Sequence, residues 1–111
     1  VTVCKSANGS SCDTSGTGWL QGWIAFVDAD SDATVDTGET ILLVHGAVQG
    51  GYNISGNTNV DSYISFIATG QSQLTSGAFQ LGTVTTCKAP NARALILNSV
   101  GRVRVNKTTC T

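Results

Sequence analysis

Two stretches of this chain hold residues whose types and spacing could do chemistry. The first is the segment DADSDATVDTGE, residues 28–39. Asp28, Asp30, Asp32, Thr34, Asp36 and Glu39 fall at positions 1, 3, 5, 7, 9 and 12 of a twelve-residue calcium loop. Hard oxygen donors at alternating positions are what Ca²⁺ requires, and position 8 is the apolar Val35. Two features depart from that pattern. Ala33 stands where the loop wants glycine for its sharp turn, and the flanking residues 22–27 and 40–44 read as strands rather than helices. A solvated hairpin loop, with carboxylates that keep it soluble, explains the same residues and is the favoured reading, so no metal is expected.

The second stretch is Gly101-Arg102-Val103-Arg104-Val105. On a strand, Arg102 and Arg104 project from one face, roughly 6.6–7 Å apart, while Val103 and Val105 face the core. Two guanidinium forks so spaced can grip successive phosphates, each through paired hydrogen bonds. Gly101 removes a side chain beside them and lets a backbone approach closely. Lys107, Lys5 and Arg93 extend the patch if the fold brings them near. From spacing alone, an exposed edge strand charged against aggregation is the stronger explanation.

Catalysis finds little support. A nucleophilic or acid–base mechanism needs a nucleophile with an oriented base. The one histidine, His45, follows the apolar run 41–44, where a strand-end structural role is expected. The paired carboxylates all lie in the acidic loop, too solvated for burial to raise a pKa. No cofactor is implied. Trp19, Trp23, Tyr52 and Tyr63 could stack bases or sugars, but Trp23 is expected in the core. Asn8, Asn53 and Asn106 open Asn-x-Ser/Thr triplets, which are common by chance in a chain this rich in Ser and Thr.

The elements that must carry these residues are short strands. Residues 1–4, 22–27, 40–44, 62–68 and 78–87 are apolar or alternating runs bounded by Gly, Asn, Asp and Ser. In 78–87, Phe79, Leu81 and Val84 are expected to point inward. Residues 92–105 form one long β-rich stretch broken at Asn98-Ser99 and Gly101, and 92–97 is the one place where a helix would not surprise. Pro90 marks a turn before it. With 111 residues, 41% hydrophobic and 12% charged, the chain has room for one domain, 1–111, with one core. No apolar run is long enough to span a membrane. With no methionine in it, the chain is expected to be a processed or truncated piece, with any signal peptide or anchor upstream.

Charge is segregated. Five of the seven acids lie between residues 28 and 39, and from Ser62 to the end there are five bases and no acid. The net charge of −1 therefore hides a basic C-terminal half that an anionic partner could use. The four cysteines, Cys4, Cys12, Cys87 and Cys110, lack metal-site spacing. An even count in a short domain points to two disulfides and an oxidising compartment. Cys4–Cys12, closed by the Asn8-Gly9 turn, and Cys87–Cys110 are the favoured pairs. The first-order reading is a secreted, disulfide-stabilised all-β domain that binds or assembles.

The order Val3-Cys4-Lys5-Ser6, Gly22-Trp23-Ile24-Ala25-Phe26-Val27-Asp28, Gly38-Glu39-Thr40-Ile41-Leu42 and Gly101-Arg102-Val103-Arg104 resembles the GspH/FimT family of type IV pilin-like proteins, over nearly the whole chain. The resemblance implies a minor pilin or pseudopilin. Its β-rich head of antiparallel sheets sits at the fibre surface or tip. Its N-terminal hydrophobic helix, absent here, anchors it in the inner membrane before assembly and then packs in the pilus core. Trp19 would pack where that helix lies. In the FimT branch the G-R-x-R motif is implicated in binding double-stranded DNA during natural transformation, which makes Arg102 and Arg104 phosphate contacts beside Gly101. Lys5 and Lys107 would be weaker contributors. The FimU branch implies assembly with other major and minor pilins. Heads of the type II secretion branch are usually poorer in cysteine, which points away from it.

Overall fold

The computed structural model describes every residue except 14–17, 31, 49–51, 89, 99, 110 and 111. Among the described residues the regular structure is β, apart from one 3₁₀ turn at Thr58–Val60. The strands are β1 (Thr2–Lys5), β2 (Trp23–Phe26), β3 (Ile41–His45), β4 (Asn53–Gly56), β5 (Tyr63–Ser65), β6 (Gly82–Lys88), β7 (Asn91–Leu97) and β8 (Val103–Thr109). They form two antiparallel four-stranded sheets, in the orders β3-β2-β1-β5 and β4-β6-β7-β8. This is the mainly β head that the sequence implies, and no helix of the described residues is long and apolar enough to cross a membrane.

The core of the first sheet comes from one face of β1 and β2. Cys4, Ile24 and Phe26 are buried there, with Cys12, Val35, Ile41 and Tyr63 packed against them. Cys4 is joined to Cys12, so the expected bridge closes the turn at Asn8-Gly9. Asn8 organises that turn, since its Oδ1 accepts the Ser10 and Ser11 amides. The two sheets are tied by buried polar groups with satisfied partners. The Gln80 side chain is buried, accepts the Ser65 amide and donates to the Asn59 and Tyr63 carbonyls. The indole N–H of Trp19 donates to the Val60 carbonyl at 3.1 Å.

Several expectations change. β4 has no counterpart among the strands expected from the sequence. The 62–68 run keeps only the three residues of β5 in the ladder, because the chain turns at Gly70, where φ is +89°. Residue 78 onward does alternate, but one residue out of phase with the expectation. Gln80 points inward to make its three bonds, so Phe79 and Leu81 are more than half exposed. The 92–105 stretch is two strands of a hairpin, and 92–97 lies in a strand, not a helix. Trp23 is half-buried rather than core. Its ring stacks on His45 directly opposite it, with centroids 4.1 Å apart and planes 7° from parallel. His45 ends β3, as expected. β3 is an edge strand on which Leu42, Leu43 and Val44 are all more than half exposed.

Candidate nucleic-acid interface

Arg102 and Arg104 are presented by the β7–β8 hairpin at one edge of the second sheet. The turn is built by the backbone and by Asn98. The Asn98 amide donates to the Arg102 carbonyl, and its Oδ1 accepts the amides of Val100 and Arg102. Gly101 has φ +81°, a conformation that costs an L side chain about 1–2 kcal/mol. A Cβ there would also collide with the Gly70 carbonyl oxygen. The close backbone approach that Gly101 permits is therefore made by the chain's own Gly70. Ser72 Oγ lies 3.0 Å from the Asn98 carbonyl and ties the turn to the same loop. The arginines themselves are exposed.

Register decides which basic residues can act together. Directly opposed residues of an antiparallel ladder share a face. Arg104 lies opposite Ile96, on the face that also holds Ala94 and Asn106, and Arg102 stands in the turn just ahead of β8. Arg93 and Lys107 lie opposite each other on the other face. So Lys107 and Arg93 do not continue the Arg102/Arg104 row; they flank the same edge from the reverse side. Lys5 is fully buried on β1 and is not available to a phosphate at the surface. The separation of Lys107 from Arg104 follows from alternation along one strand, whereas the placing of Arg93 and the burial of Lys5 depend on register and packing that sequence spacing does not give.

Val103 and Val105 were expected in the core. They are 49% and 60% exposed because β8 is the outermost strand of the second sheet; Leu97, opposite Val103 on the same face, is buried. Val103 instead lines an apolar hollow of about 330 Å³ between the sheets. The second sheet contributes Val84, Leu95 and Leu97 to it, and the first contributes Val3, Trp23 and Ile64. Trp19, only 5% exposed, forms part of its wall.

The acidic loop brings carboxylate oxygens of Asp28, Asp30, Asp32 and Glu39 within 4.8 Å of one another, and Asp36, another carboxylate of the calcium-loop pattern, lies outside that group. Much of this negative charge is already used. Asp28 is buried and accepts from the Thr2 hydroxyl and from the amides of Asp32 and Ala33. Glu39 accepts the amides of Ala29 and Asp36. Ala33, where a calcium loop has glycine, takes φ +58°. The Asp30 carboxyl is pushed up to about 7, first by its hydrogen bond with the Asp36 carboxyl and then by partial desolvation. The neighbouring carboxylates thus achieve what solvation was expected to prevent. Asp32 is held low, chiefly by the Thr34 amide.

Tyr63 is half-buried and its hydroxyl accepts the Thr75 amide, so it offers no stacking platform, whereas Tyr52 is 47% exposed. Cys87 is disulfide-bonded; the expected Cys87–Cys110 pair involves a residue outside those described.

The family model described as type II transport protein GspH matches residues 1–101. No curated protein and no solved structure matches the chain significantly.

Proposed function

The chain belongs to the GspH family of type II transport proteins, and on that premise we propose that it is a minor-pilin head that captures DNA through Arg102 and Arg104. The family is a structural, non-catalytic one of membrane-anchored pseudopilins and minor pilins that assemble with others of their kind into a filament. DNA capture rests chiefly on one observation: two exposed arginines, one in the turn and one on the edge strand that follows it, in a C-terminal half that has no acid from Ser62 onward. An edge strand leaves room for a duplex to lie alongside, and guanidinium forks suit phosphate oxygens. Such contacts carry no base information, so binding is non-specific in sequence. It weakens with salt at a log–log slope of about −2 to −4. A gel shift with duplex DNA tests it, comparing wild type with Arg102→Gln/Arg104→Gln. Loss of binding in the variant supports the site; equal binding by the two proteins rejects it.

A second reading, assembly alone, is favoured by the apolar hollow. Its residues from both sheets fit the flank of a hydrophobic helix of the kind that anchors the family in the inner membrane before the head reaches the extracellular fibre. FimU-like initiation of pili and a type II secretion pseudopilus are the two forms of this reading. Deleting the gene separates them from DNA capture. Lost surface pili or lost secretion marks assembly, while intact fibres with lost DNA uptake mark capture.

A further inference from the structure

The face of the second sheet that lines the apolar hollow changes character along its length. Next to Val84 and Leu95 come Thr86 and Arg93, and then Lys88 and Asn91, each pair directly opposed across β6 and β7. Here a second, open hollow of about 530 Å³ is lined by Tyr52, Thr86, Lys88, Asn91, Ala92 and Arg93.

Its chemistry is cationic and aromatic together. β6, β7 and β8 contain no acidic residue. Arg93 donates from Nη1 to the Ala92 carbonyl, a neutral acceptor. Across the ladder it faces Lys107, and like charges directly opposite each other destabilise a sheet unless an anion lies between them. Lys88 holds its ammonium 5.1 Å from the centroid of the half-exposed Tyr52 ring, so an aromatic face and cations meet in one concavity. An anion alone would need the cations but not the ring. A sugar alone would need the ring but not Lys88 and Arg93, the two cations that line the hollow, with Lys107 opposite Arg93. A ligand that carries a flat π-face joined to a phosphate uses both.

We propose that this hollow binds a nucleotide unit of a single-stranded nucleic acid. The base stacks on Tyr52 in place of the Lys88 ammonium, and the phosphate lies against Arg93, with Lys88 and Lys107 beside it. A duplex keeps its base faces stacked inside, so it cannot use the ring. The site is on the opposite face of the sheet from Arg104 and does not depend on the Arg102/Arg104 reading.

The test is fluorescence anisotropy with a short labelled oligothymidylate, an abasic oligomer of equal length and a duplex. Tyr52→Leu is expected to weaken oligothymidylate binding about tenfold, from the loss of one stacked base, and to leave duplex and abasic binding unchanged. Tyr52→Phe keeps the ring and should bind as wild type, which separates stacking from any structural effect. Arg93→Gln should weaken oligothymidylate and abasic binding alike. Wild-type protein that binds the abasic and thymidylate oligomers equally overturns the proposal, as does Tyr52→Leu that binds oligothymidylate like wild type. Arg102→Gln/Arg104→Gln serves as the cross-check: if it leaves duplex binding intact while Tyr52→Leu loses the oligomer, the assignment of duplex capture to Arg102 and Arg104 falls and this site stands.

Discussion

The acidic loop and the basic hairpin are both dense in charge, yet the fold treats them in opposite ways. In residues 28–39 the carboxylates are structural acceptors. Asp28 and Glu39 take backbone amides from inside the loop, and Asp28 also takes the Thr2 hydroxyl from β1. In the β7–β8 hairpin the turn is set by Asn98, Gly101 and backbone bonds, and the hydrogen bonds among the turn's described residues use no cationic side chain. Removing charge should therefore unfold the first region and leave the second standing. Charge that the fold does not consume is the charge available to a ligand.

The largest effect that would break this contrast comes from the hairpin's one stringent backbone position. Gly101→Val should cost about 3 kcal/mol, from the left-handed φ and the collision with Gly70. Denaturant unfolding measures it, and a cost under a third of that would mean the turn is not built as described. Asp28→Ala comes next. It leaves a buried hydroxyl and two amides without their acceptor, at a cost of about 2 kcal/mol, seen as a lowered midpoint with unchanged slope. Arg102→Gln/Arg104→Gln should stay within about 0.5 kcal/mol of wild type while changing DNA binding. A clear loss of stability in that variant would collapse the distinction between the two regions.

The smallest effect is one of proton affinity. Asp30 in the folded chain titrates near 7, above its ordinary 3.8, so the folded state holds that proton more tightly than the unfolded one. The resulting contribution is fully present below about pH 4 and is lost as pH rises through 7. NMR of the Asp30 carboxyl carbon should show the midpoint, and Asp36→Asn should lower it. A midpoint unmoved by that change would assign the shift to something other than the Asp36 carboxyl.

How far the sequence exposes these features depends on what each rests on. β2 and β3 are compact apolar runs, the first closed by Gly22 and Asp28 and the second by Glu39 and Gly46, and they are plain before any coordinates. β4 is not, because Asn53-Ile54-Ser55-Gly56 has one apolar residue and borrows its stability from pairing with β6. Phe79 and Leu81 mislead because a buried glutamine with three partners outranks two apolar neighbours for the inward position. The paired arginines are legible as a local spacing. The separation of Lys107 from them is legible too, because an odd spacing along one strand reverses the face. The placing of Arg93 opposite Lys107, the burial of Lys5 and the meeting of Tyr52 with Lys88 depend on cross-strand register and packing, which join residues far apart in the chain.

The order of the strands has a consequence in time. The chain lays down β1, β2 and β3 in the first sheet, leaves to start the second with β4, and returns for β5 before completing the second with β6, β7 and β8. Thr2 pairs with Ser65, and Asn53 waits for Cys87. Neither sheet can close from a contiguous stretch, so loop-closure entropy is spent before most pairings reward it, and folding is slow for the length. A chain that emerges N-terminus first can complete its first sheet only once β5 is out, and its second only once β8 follows, so the two sheets become available one after the other.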